Sequence, residues 1–390
     1  MTLDRPVVVG WARSAVIPVA GEFAHLAVHE IGAPIVRALL ARHGVPAGAV
    51  DSIVCGNALA AGGNPARMIG LAAQLPDRTA AYSIDTQCCA GLDAVAIGAG
   101  MIATGQANVI VAGGAEAWSR APIRQHQPCA PGEPPVPFER PAFAPDPQRD
   151  PDLVMAAARH AYEARIARVD QDGFAIDSHA RALAAREHMA AEIVPVCGAQ
   201  YDTYARALSA QRVARMPVVA VYEGSSDPDI DPRTTAISRL SIAPKADGAA
   251  FVLLATRQAA VALGITPTMQ WRDSMAMGGQ PEMPMLAATR AAEAMLARHA
   301  LQPSMLWGVD LHDAFAVQAL AFANALGIRP ERMNRGGGGI ARGHPIGASG
   351  AVSLVRLLAD MKRDAPVGAV GLAAVAAAGG LGSAALVERI

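Results

Sequence analysis

Charged and aromatic residues are both scarce in this chain of 390 residues. Only 17% of the residues are Asp, Glu, Lys or Arg and 4% are Phe, Trp or Tyr, whereas 52% are hydrophobic. The formal net charge is −1, and the two signs are interspersed. Because the chain has no basic stripe and no acidic tail, we do not expect it to bind nucleic acid. A chain this long and this apolar can bury a large core, which predicts a globular protein of two or three structural units.

Cysteines are few, and their spacing forms no disulfide framework. The five are Cys55, Cys88, Cys89, Cys129 and Cys197, an odd number. No two of them are spaced as Cys-x2-Cys, and we predict no metal site. The N-terminus lacks the basic, apolar and small-residue order of an export signal, so we expect free thiols in a reducing cytoplasm.

Long runs of Leu, Ile or Phe are absent as well. The longest stretch without a charge, residues 366–387, is long enough to cross a bilayer but consists mostly of Ala and Gly. We therefore predict a buried pair of strands joined at Gly379-Gly380, and no association with a membrane.

Short β-branched runs alternate with Ala- and Leu-rich helical patterns in both the first and the last third of the chain. The first third predicts strands near 6–10, 52–55, 80–84 and 109–112 and helices near 26–43, 65–75 and 88–104. The rhythm returns with strands near 247–255, 268–274, 306–311 and 367–387 and helices near 285–299, 316–326 and 351–361. This alternation is typical of a mainly parallel sheet covered by helices, here in two similar α/β halves.

A proline-rich stretch separates the two halves. Residues 122–151 contain ten prolines, which neither a helix interior nor a central strand tolerates. Helical patterns near 154–168 and 171–189 follow it. We predict an N-terminal half at 1–120 that is completed by about 245–262, an inserted and mostly helical subdomain at 121–244, and a C-terminal half at 263–390.

A cysteine at a helix start and a histidine in a distant glycine-rich turn form the candidate catalytic pair. Cys88 precedes a Gly/Ala-rich helical run, where unpaired backbone N–H groups and the helix dipole favour a thiolate. His344 lies within Gly336–Gly350, before another helix. Because both fall at strand-to-helix turns where the two halves can meet, we expect them to share a site. Such a pair is the minimum for acyl transfer through a thioester.

Seven short motifs follow one another along nearly the whole chain. They are Gly63-Asn-Pro-Ala-Arg67, Gln87-Cys-Cys-Ala-Gly-Leu92, Gly113-Gly-Ala-Glu-Ala-Trp-Ser119, Asp170-Gln-Asp-Gly-Phe-Ala175, Glu192-Ile-Val-Pro195, His312-Asp-Ala-Phe315 and Gly343-His-Pro-Ile-Gly-Ala-Ser-Gly350. In this combination and order they resemble the thiolase superfamily. The resemblance implies a layered αβαβα fold of two repeated halves, an inserted loop subdomain that binds coenzyme A, and homodimers or homotetramers. It also implies acyl-CoA thioesters as substrates and no permanently bound cofactor.

The resemblance assigns roles to individual residues. Cys88 would be the acylated nucleophile and His344 its base. His312 falls where relatives use an asparagine or a histidine to hold a water against the substrate carbonyl. Backbone N–H groups of Cys88 and Ala378 would surround the acyl oxygen, and Gly379-Gly380 would let the backbone approach closely.

Two positions depart from the family's pattern. Degradative and biosynthetic thiolases carry a second catalytic cysteine in a Cys-x-Gly segment near the C-terminus, and the matching residue here is Ala376. Sterol-carrier-type thiolases, which this chain resembles in His312–Phe315 and Ala243–Gly248, supply that thiol from the third position of His-Asp-x-Phe. That position is Ala314 here. The usual base for the α-proton of the second acyl group is therefore missing.

Three functions are compatible with a Cys88–His312–His344 set. The first is an acyl-CoA C-acyltransferase that forms or cleaves a 3-ketoacyl thioester, with a histidine, Cys89 or water as acid/base. The second is a decarboxylative or otherwise specialised C-acyltransferase, because the set resembles the Cys-His-His arrangement of decarboxylating ketoacyl synthases. The third is a catalytically reduced subunit of a larger complex. We favour the first, because the loop-subdomain motifs point to acyl-CoA thioesters.

Overall fold

A large sheet of mixed strand direction forms the centre of the protein, in a computed structural model that describes residues 5–59, 62–224 and 231–390. The strands of this part of the chain are β1 (Val7–Arg13), β2 (Ile17–Pro18), β3 (Ser52–Gly56), β4 (Ala80–Ile84), β5 (Val109–Glu116), β6 (Arg124–His126), β7 (Val136–Phe138), β8 (Val218–Ala220), β9 (Ile237–Ser238), β10 (Ala246–Ala255), β11 (Met269–Gly278), β12 (Gly308–His312), β13 (Val370–Ala377) and β14 (Leu381–Arg389). Ten of them belong to the central sheet, while β6–β7 and β8–β9 form separate ribbons.

Helices cover the sheet. Over the same residues they are α1 (Val28–Arg42), α2 (Pro65–Ala72), α3 (Ala90–Ala103), α4 (Leu153–Glu163), α5 (Arg168–Ala184), α6 (Arg186–Met189), α7 (Ala210–Val213), α8 (Arg257–Ala262), α9 (Ala287–Arg298), α10 (Ala316–Leu326), α11 (Gly339–Arg342) and α12 (Ser349–Asp364). The strands and helices predicted for the two halves are all present, and β4 and α10 have the predicted ends.

The two halves of the sheet repeat one strand arrangement. The order is β1-β10-β5-β3-β4 in the N-terminal half and β11-β14-β13-β12 in the C-terminal half. In both halves the first three strands pair antiparallel, and the next pair, β5 with β3 or β13 with β12, is parallel. The halves join where β1 and β11 pair antiparallel at Val7 and Val8.

Three helix layers alternate with the two half-sheets. Helices α1 and α2 cover the outer face of the N-terminal half, and α9 and α10 cover the outer face of the C-terminal half. Helices α3 and α12 pack against each other and against strands of both halves. This is the layered αβαβα fold of two repeated halves that the resemblance implied. Because Cys88 lies just before α3 and His344 just before α12, the central helix layer brings the two residues together.

The expectation of a mainly parallel sheet is wrong, because most neighbouring strands are antiparallel. The pairs β3–β4, β3–β5 and β12–β13 are parallel, and helices lie between their strands along the chain, as parallel pairing needs. However, only three residues, Ala378–Gly380, join β13 to β14, and so short a turn can connect only antiparallel strands. The strand β10, which follows the inserted segment, also enters antiparallel between β1 and β5.

The inserted segment was predicted to be mostly helical, but helices form less than half of its described residues. Helices α4 and α5 lie at the two helical patterns, and the ribbons β6–β7 and β8–β9 accompany them together with long irregular stretches. The prolines of residues 122–151 account for the irregular part, because they lack the N–H that a helix or ladder needs. The division at 121–244 stays a prediction.

Residues 366–387 form β13 and most of β14, the buried antiparallel pair that their composition indicated. Within the described ranges, no helix is both long enough and apolar enough to cross a membrane.

Candidate active site

Cys88 lies in a tight turn between β4 and α3. A 3-10 turn at Gln87–Cys89 follows the strand, and α3 begins directly after it. Gln87 has a φ of 50°, which a residue with a β-carbon rarely adopts. Backbone strain of this kind persists where the surrounding structure enforces it, often at functional sites. The thiol is nearly buried, with 8% of Cys88 exposed.

His344 lies in a turn that is fixed by its own backbone. The preceding Gly343 has a φ of 120°, which excludes other residues. The N–H of His344 donates to the Pro244 carbonyl at 2.7 Å, and its carbonyl accepts from the N–H of Ala246 at 3.3 Å. The residues that lead into β10, a strand of the N-terminal half, therefore hold the turn of His344, which belongs to the C-terminal half.

The two candidate residues are in direct contact. Cys88 Sγ lies 3.1 Å from His344 Nε2, and His344 Nδ1 lies 2.7 Å from Ser349 Oγ. If Nδ1 carries the proton and donates to Ser349, the lone pair of Nε2 faces the thiol. In that tautomer His344 can accept the proton of Cys88, and Ser349 holds the ring in place.

Burial keeps both members of this pair neutral at rest. It raises the pKa of the Cys88 thiol to about 12, more than the nearby backbone N–H groups lower it. It also lowers the pKa of His344 to about 4. The start of the helix favours a thiolate, as its position indicated, but the cost of desolvating a charged sulfur exceeds this stabilisation. The proton must pass to His344 as the sulfur attacks.

Two backbone N–H groups lower the pKa of the Cys88 thiol and so lie near its sulfur. They belong to Ala378 and to Cys88 itself. Ala378 begins the turn between β13 and β14, in which Gly379 and Gly380 have φ values of 78° and 79°. These left-handed conformations let the chain reverse directly beside the thiol. The pair of donors can bind an oxygen that develops negative charge on an acyl group at Cys88.

His312 lies beside His344 at the end of β12. The two ring centroids are 4.4 Å apart, and only 2% of His312 is exposed. Burial, His344 and the Arg342 guanidinium lower the pKa of His312 well below its usual range, so the ring is neutral. Its Nε2 makes no hydrogen bond to any described residue. A buried nitrogen without a partner is costly and is available to a bound water or to a substrate oxygen.

A mostly apolar cavity of about 120 Å³ lies beside Cys88 and His344. Leu153 of the inserted segment forms part of its wall, together with Met285 and Phe315 of the C-terminal half. The polar Gln318 also lies on the wall, but its side chain accepts from the Ala314 N–H at 3.1 Å and donates to the His312 carbonyl at 3.3 Å. The cavity therefore offers an apolar surface of the kind that an acyl chain requires.

The thiol of Cys88 is alone at this cavity. Cys89 points away from it, with its Sγ 3.6 Å from the Val375 carbonyl. Cys55 is buried elsewhere, and Cys129 and Cys197 are exposed. Of the described residues, no other cysteine contributes to the cavity wall. The side chain of Cys89 is therefore poorly placed to act on a substrate.

Sequence reasoning did not single out Glu116 or Ser349. Glu116 is buried at the end of β5 and accepts a hydrogen bond from the N–H of Gly347, in the turn that carries His344. Both residues lie inside motifs quoted above, Gly113–Ser119 and Gly343–Gly350. The available signal was a polar residue between two small ones, because Glu116 lies between two alanines and Ser349 lies between an alanine and a glycine.

Comparison with known proteins identifies the family. Residues 6–258 match the profile of the thiolase N-terminal domain, and residues 265–389 match that of the thiolase C-terminal domain. The chain belongs to the thiolase family. It is 34% identical to an acetyl-CoA acetyltransferase of Rhizobium meliloti, with 98% of each chain covered. It is 32% identical to the putative acetyl-CoA C-acetyltransferase YhfS of Bacillus subtilis, with 92% of each chain covered.

Solved thiolase-family structures have the same fold. The acetyl-CoA acetyltransferase of Bacillus anthracis superposes with a TM-score of 0.90 at 25% identity, over 100% of this chain and 99% of that one. The Acat5 thiolase of Ascaris suum, solved in complex with coenzyme A, superposes with a TM-score of 0.88 at 24% identity, over 99% and 100% of the two chains.

The two alanines that depart from the family's pattern both face the cavity. Ala314 and Ala376 are part of the same wall as Cys88 and His344. Within the described ranges, no group of three or more His, Cys, Asp or Glu side chains is arranged to hold a metal ion.

Proposed function

We propose that this thiolase-family acyltransferase is an acyl-CoA C-acyltransferase that forms or cleaves a 3-ketoacyl thioester through an acyl-enzyme on Cys88. The observation that carries the proposal is the 3.1 Å contact between Cys88 Sγ and His344 Nε2 at the end of an apolar cavity. A thiol, an adjacent neutral imidazole and two convergent N–H donors are the parts that acyl transfer to sulfur needs.

Acylation begins with attack of the Cys88 sulfur on the carbonyl carbon of an acyl-CoA thioester. The thiol proton moves to Nε2 of His344 as the carbon–sulfur bond forms. The backbone N–H groups of Cys88 and Ala378 stabilise the tetrahedral oxyanion. When the intermediate collapses, the bond to the coenzyme A sulfur breaks, and that sulfur takes the proton from His344. Gly379 and Gly380 shape the turn that presents the Ala378 donor.

The second half-reaction needs a polarised carbonyl and an acid/base at the α-carbon. The unpartnered Nε2 of His312 supports a role in holding the carbonyl oxygen of the second thioester, directly or through water. Cys89 and His312 do not contribute to the cavity wall, whereas His344 does, so we assign the acid/base role to His344 or to water. Nε2 of His344 is the candidate nearest the acyl group.

Coenzyme A thioesters are the proposed substrates, and we propose no permanently bound cofactor. Relatives at 33% and 34% identity are named acetyl-CoA acetyltransferases. Leu153, from the inserted segment 121–244, contributes to the cavity wall, which supports a role of that segment in binding coenzyme A. The apolar wall is suited to an acyl chain rather than to a charged group.

A second copy of the chain is the proposed partner, in a homodimer or homotetramer. Strand β4 lies at an edge of the central sheet and pairs with β3 alone among the described strands. Its Tyr82 is 46% exposed. An open strand edge with an exposed aromatic side chain favours pairing with another chain. We place the protein in the cytoplasm and propose neither a nucleic-acid nor a membrane partner.

A decarboxylative condensation is the second candidate. The observation that favours it is the pair of neutral histidines, His312 and His344, beside a single thiol, with Ala314 and Ala376 at the two positions of the missing thiol. Loss of carbon dioxide from a malonyl-type thioester generates the carbanion without a base at the α-carbon. The two imidazoles would then stabilise the enolate oxygen.

Acylation can be tested by incubating the protein with acetyl-CoA and measuring the masses of its peptides. We expect an added acetyl group on the peptide that contains Cys88 and none in Cys88→Ala. Cys89→Ala is the matched control and should still be acylated. Label on Cys89, or label that persists in Cys88→Ala, would contradict the proposal. If the isolated chain is never acylated but becomes so with a co-purified protein, the third function, a reduced subunit of a complex, is favoured.

Direction and donor can be compared in parallel assays. Acetyl-CoA, malonyl-CoA, and a 3-ketoacyl-CoA with free coenzyme A are each offered to the wild-type protein. Thiolytic cleavage of the third supports the first function despite the missing thiol. Release of carbon dioxide from malonyl-CoA, without cleavage of the 3-ketoacyl-CoA, supports the second. Cys88→Ala is the control in every arm.

A further inference from the structure

The backbone of one residue holds the turn of His344 against the N-terminal half. That residue is Gly347, which lies between His344 and Ser349. Its N–H donates to Oε2 of Glu116 at 3.0 Å. The same oxygen accepts from the N–H of Ala58 at 2.9 Å. The carboxylate therefore joins the catalytic turn of one half to a loop of the other.

The carbonyl oxygen of Gly347 lies in a socket formed by three glycines. A β-carbon at Gly56 would lie 2.6 Å from the Gly347 oxygen, and one at Gly91 would lie 2.8 Å from it. A β-carbon at Gly114 would overlap that oxygen. Because side chains do not fit at such distances, the three glycines are what allows the turn to dock this deeply.

The socket and the nucleophile share one rigid element. Gly91 lies three residues after Cys88, in the first turn of α3. Contact of Gly347 with Gly91 therefore fixes the C-terminal turn relative to the thiol itself. A displacement of about 1 Å between catalytic groups can cost roughly a hundredfold in rate.

Glu116 is an expensive group to bury. Only 1% of it is exposed, and no Lys or Arg of the described residues forms an ion pair with it. It is satisfied by N–H donors instead, including Asn57 Nδ2 at 2.7 Å. A buried carboxylate without a cation is tolerated only where several donors converge on it. Its contacts lie between the two halves, at the turn of His344.

We propose that Glu116 is a positioning residue, which sets the contact between Cys88 and His344. By binding the Gly347 N–H it holds the Gly347 carbonyl in the glycine socket of Gly56, Gly91 and Gly114. The inference deepens the proposed function, because it concerns the same pair of residues. Glu116 acts through His344 and does not touch the reacting atoms.

The test is a double-mutant cycle on the alkylation of Cys88 by iodoacetamide, followed by peptide mass spectrometry. Glu116→Ala and Glu116→Gln are each prepared with His344 present and with His344→Ala. We expect Glu116→Ala to slow alkylation about tenfold or more when His344 is present, and less than about twofold when it is absent. Glu116→Gln should recover part of the rate, because one amide oxygen can still accept from both Ala58 and Gly347.

Equal slowing in the two backgrounds would overturn the proposal, because Glu116 would then act without His344. So would an unchanged rate in Glu116→Ala. Asp51→Asn is the matched control, because Asp51 also accepts from two backbone N–H groups, at Asn108 and Val109, but at the opposite end of β5. It should leave the rate within about twofold of wild type.

A steric variant tests the socket without removing the carboxylate, and so covers the case in which Glu116→Ala does not fold. Gly114→Ala should push the Gly347 peptide outward and slow alkylation only when His344 is present. Gly100→Ala, where an added β-carbon meets nothing within 4 Å, is the control. A Gly114→Ala protein with wild-type alkylation would overturn the docking role of the socket.

The same variants are also incubated with acetyl-CoA, which separates this inference from the proposed function. If wild-type Cys88 is not acylated but the alkylation cycle shows coupling, the acyltransferase proposal fails and the positioning role stands. If acylation occurs but the cycle shows no coupling, the positioning role fails and the acyltransferase proposal stands.

Discussion

Removing the imidazole of His344 should change how the alkylation rate of Cys88 depends on pH. Burial raises the pKa of this thiol to about 12, so at about pH 7.5 only a very small fraction of the molecules carries the thiolate. An ordinary exposed thiol, with a pKa of about 8.5, is about one-tenth ionised at that pH. Cys88 can therefore react at a useful rate only if a base removes its proton during attack.

His344 can supply that base over a wide range, since burial lowers its pKa to about 4 and the ring stays neutral above that value. In the wild-type protein the alkylation rate should be nearly flat between about pH 7.5 and about pH 9.5, because the base-assisted route does not depend on thiolate. In His344→Ala only the thiolate route remains, so the rate should rise about tenfold per pH unit over that range. General-base catalysis is worth about 10²- to 10⁴-fold, which predicts a gap of about a hundredfold or more at the lower pH that closes as the pH rises.

Iodoacetamide labelling with peptide mass spectrometry measures each cysteine separately. Exposed Cys129 and Cys197 report the behaviour of ordinary thiols in the same sample. Thermal melting of His344→Ala checks that it folds. A fall of more than about tenfold in the alkylation rate from about pH 8 to about pH 6 that persists in Glu116→Gln would refute the reasoning, because His344 would then titrate near pH 7 instead of about 4. Parallel pH profiles of wild type and variant would refute it as well.

Three further predictions concern the groups around this pair. Ser349→Ala removes the 2.7 Å hydrogen bond that orients the His344 ring. Loss of about 1 kcal/mol of stabilisation from this bond should slow acylation by acetyl-CoA several-fold in a rapid-quench assay. An unchanged rate would exclude an orienting role of Ser349. Burial raises the pKa of Glu116 to about 7, so the carboxylate protonates as the pH falls through that value, and its hydrogen bond to the Gly347 N–H weakens. Wild-type alkylation of Cys88 should therefore drop a few-fold from about pH 8 to about pH 6. A similar drop in Glu116→Gln would contradict the assignment of this pH dependence to Glu116. Ala376→Cys places a second thiol on the cavity wall and should increase deuterium exchange at the α-carbon of acetyl-CoA by about a hundredfold, measured by mass spectrometry, whereas Ala376→Ser should not. Equal exchange in both variants would show that the absent thiol is not what limits removal of the α-proton.

Much of this protein could be predicted from local pattern and motif order. Hydrophobic periodicity located the strands and helices of both halves, because each element needs one apolar face whatever it packs against. The Ala/Gly composition of residues 366–387 indicated a buried pair of strands rather than a membrane-spanning helix. The structure has two buried strands there. The motifs around Cys88, His312 and His344 named the residues that the fold then brings together.

Other properties depend on contacts between distant parts of the chain, and only the tertiary structure decided them. The sheet is mixed because β10 and β14 enter antiparallel, which a local βαβ rhythm does not reveal. The protonation of Cys88 also depends on the fold, because burial from both halves outweighs the local effect of the helix start. Glu116 and Gly347 are 231 residues apart, and no spacing in the sequence connects a carboxylate at the end of β5 with the turn of His344. Desolvation and docking act between residues that meet only when the chain has folded, whereas the apolar pattern and the motifs are properties of neighbours along it.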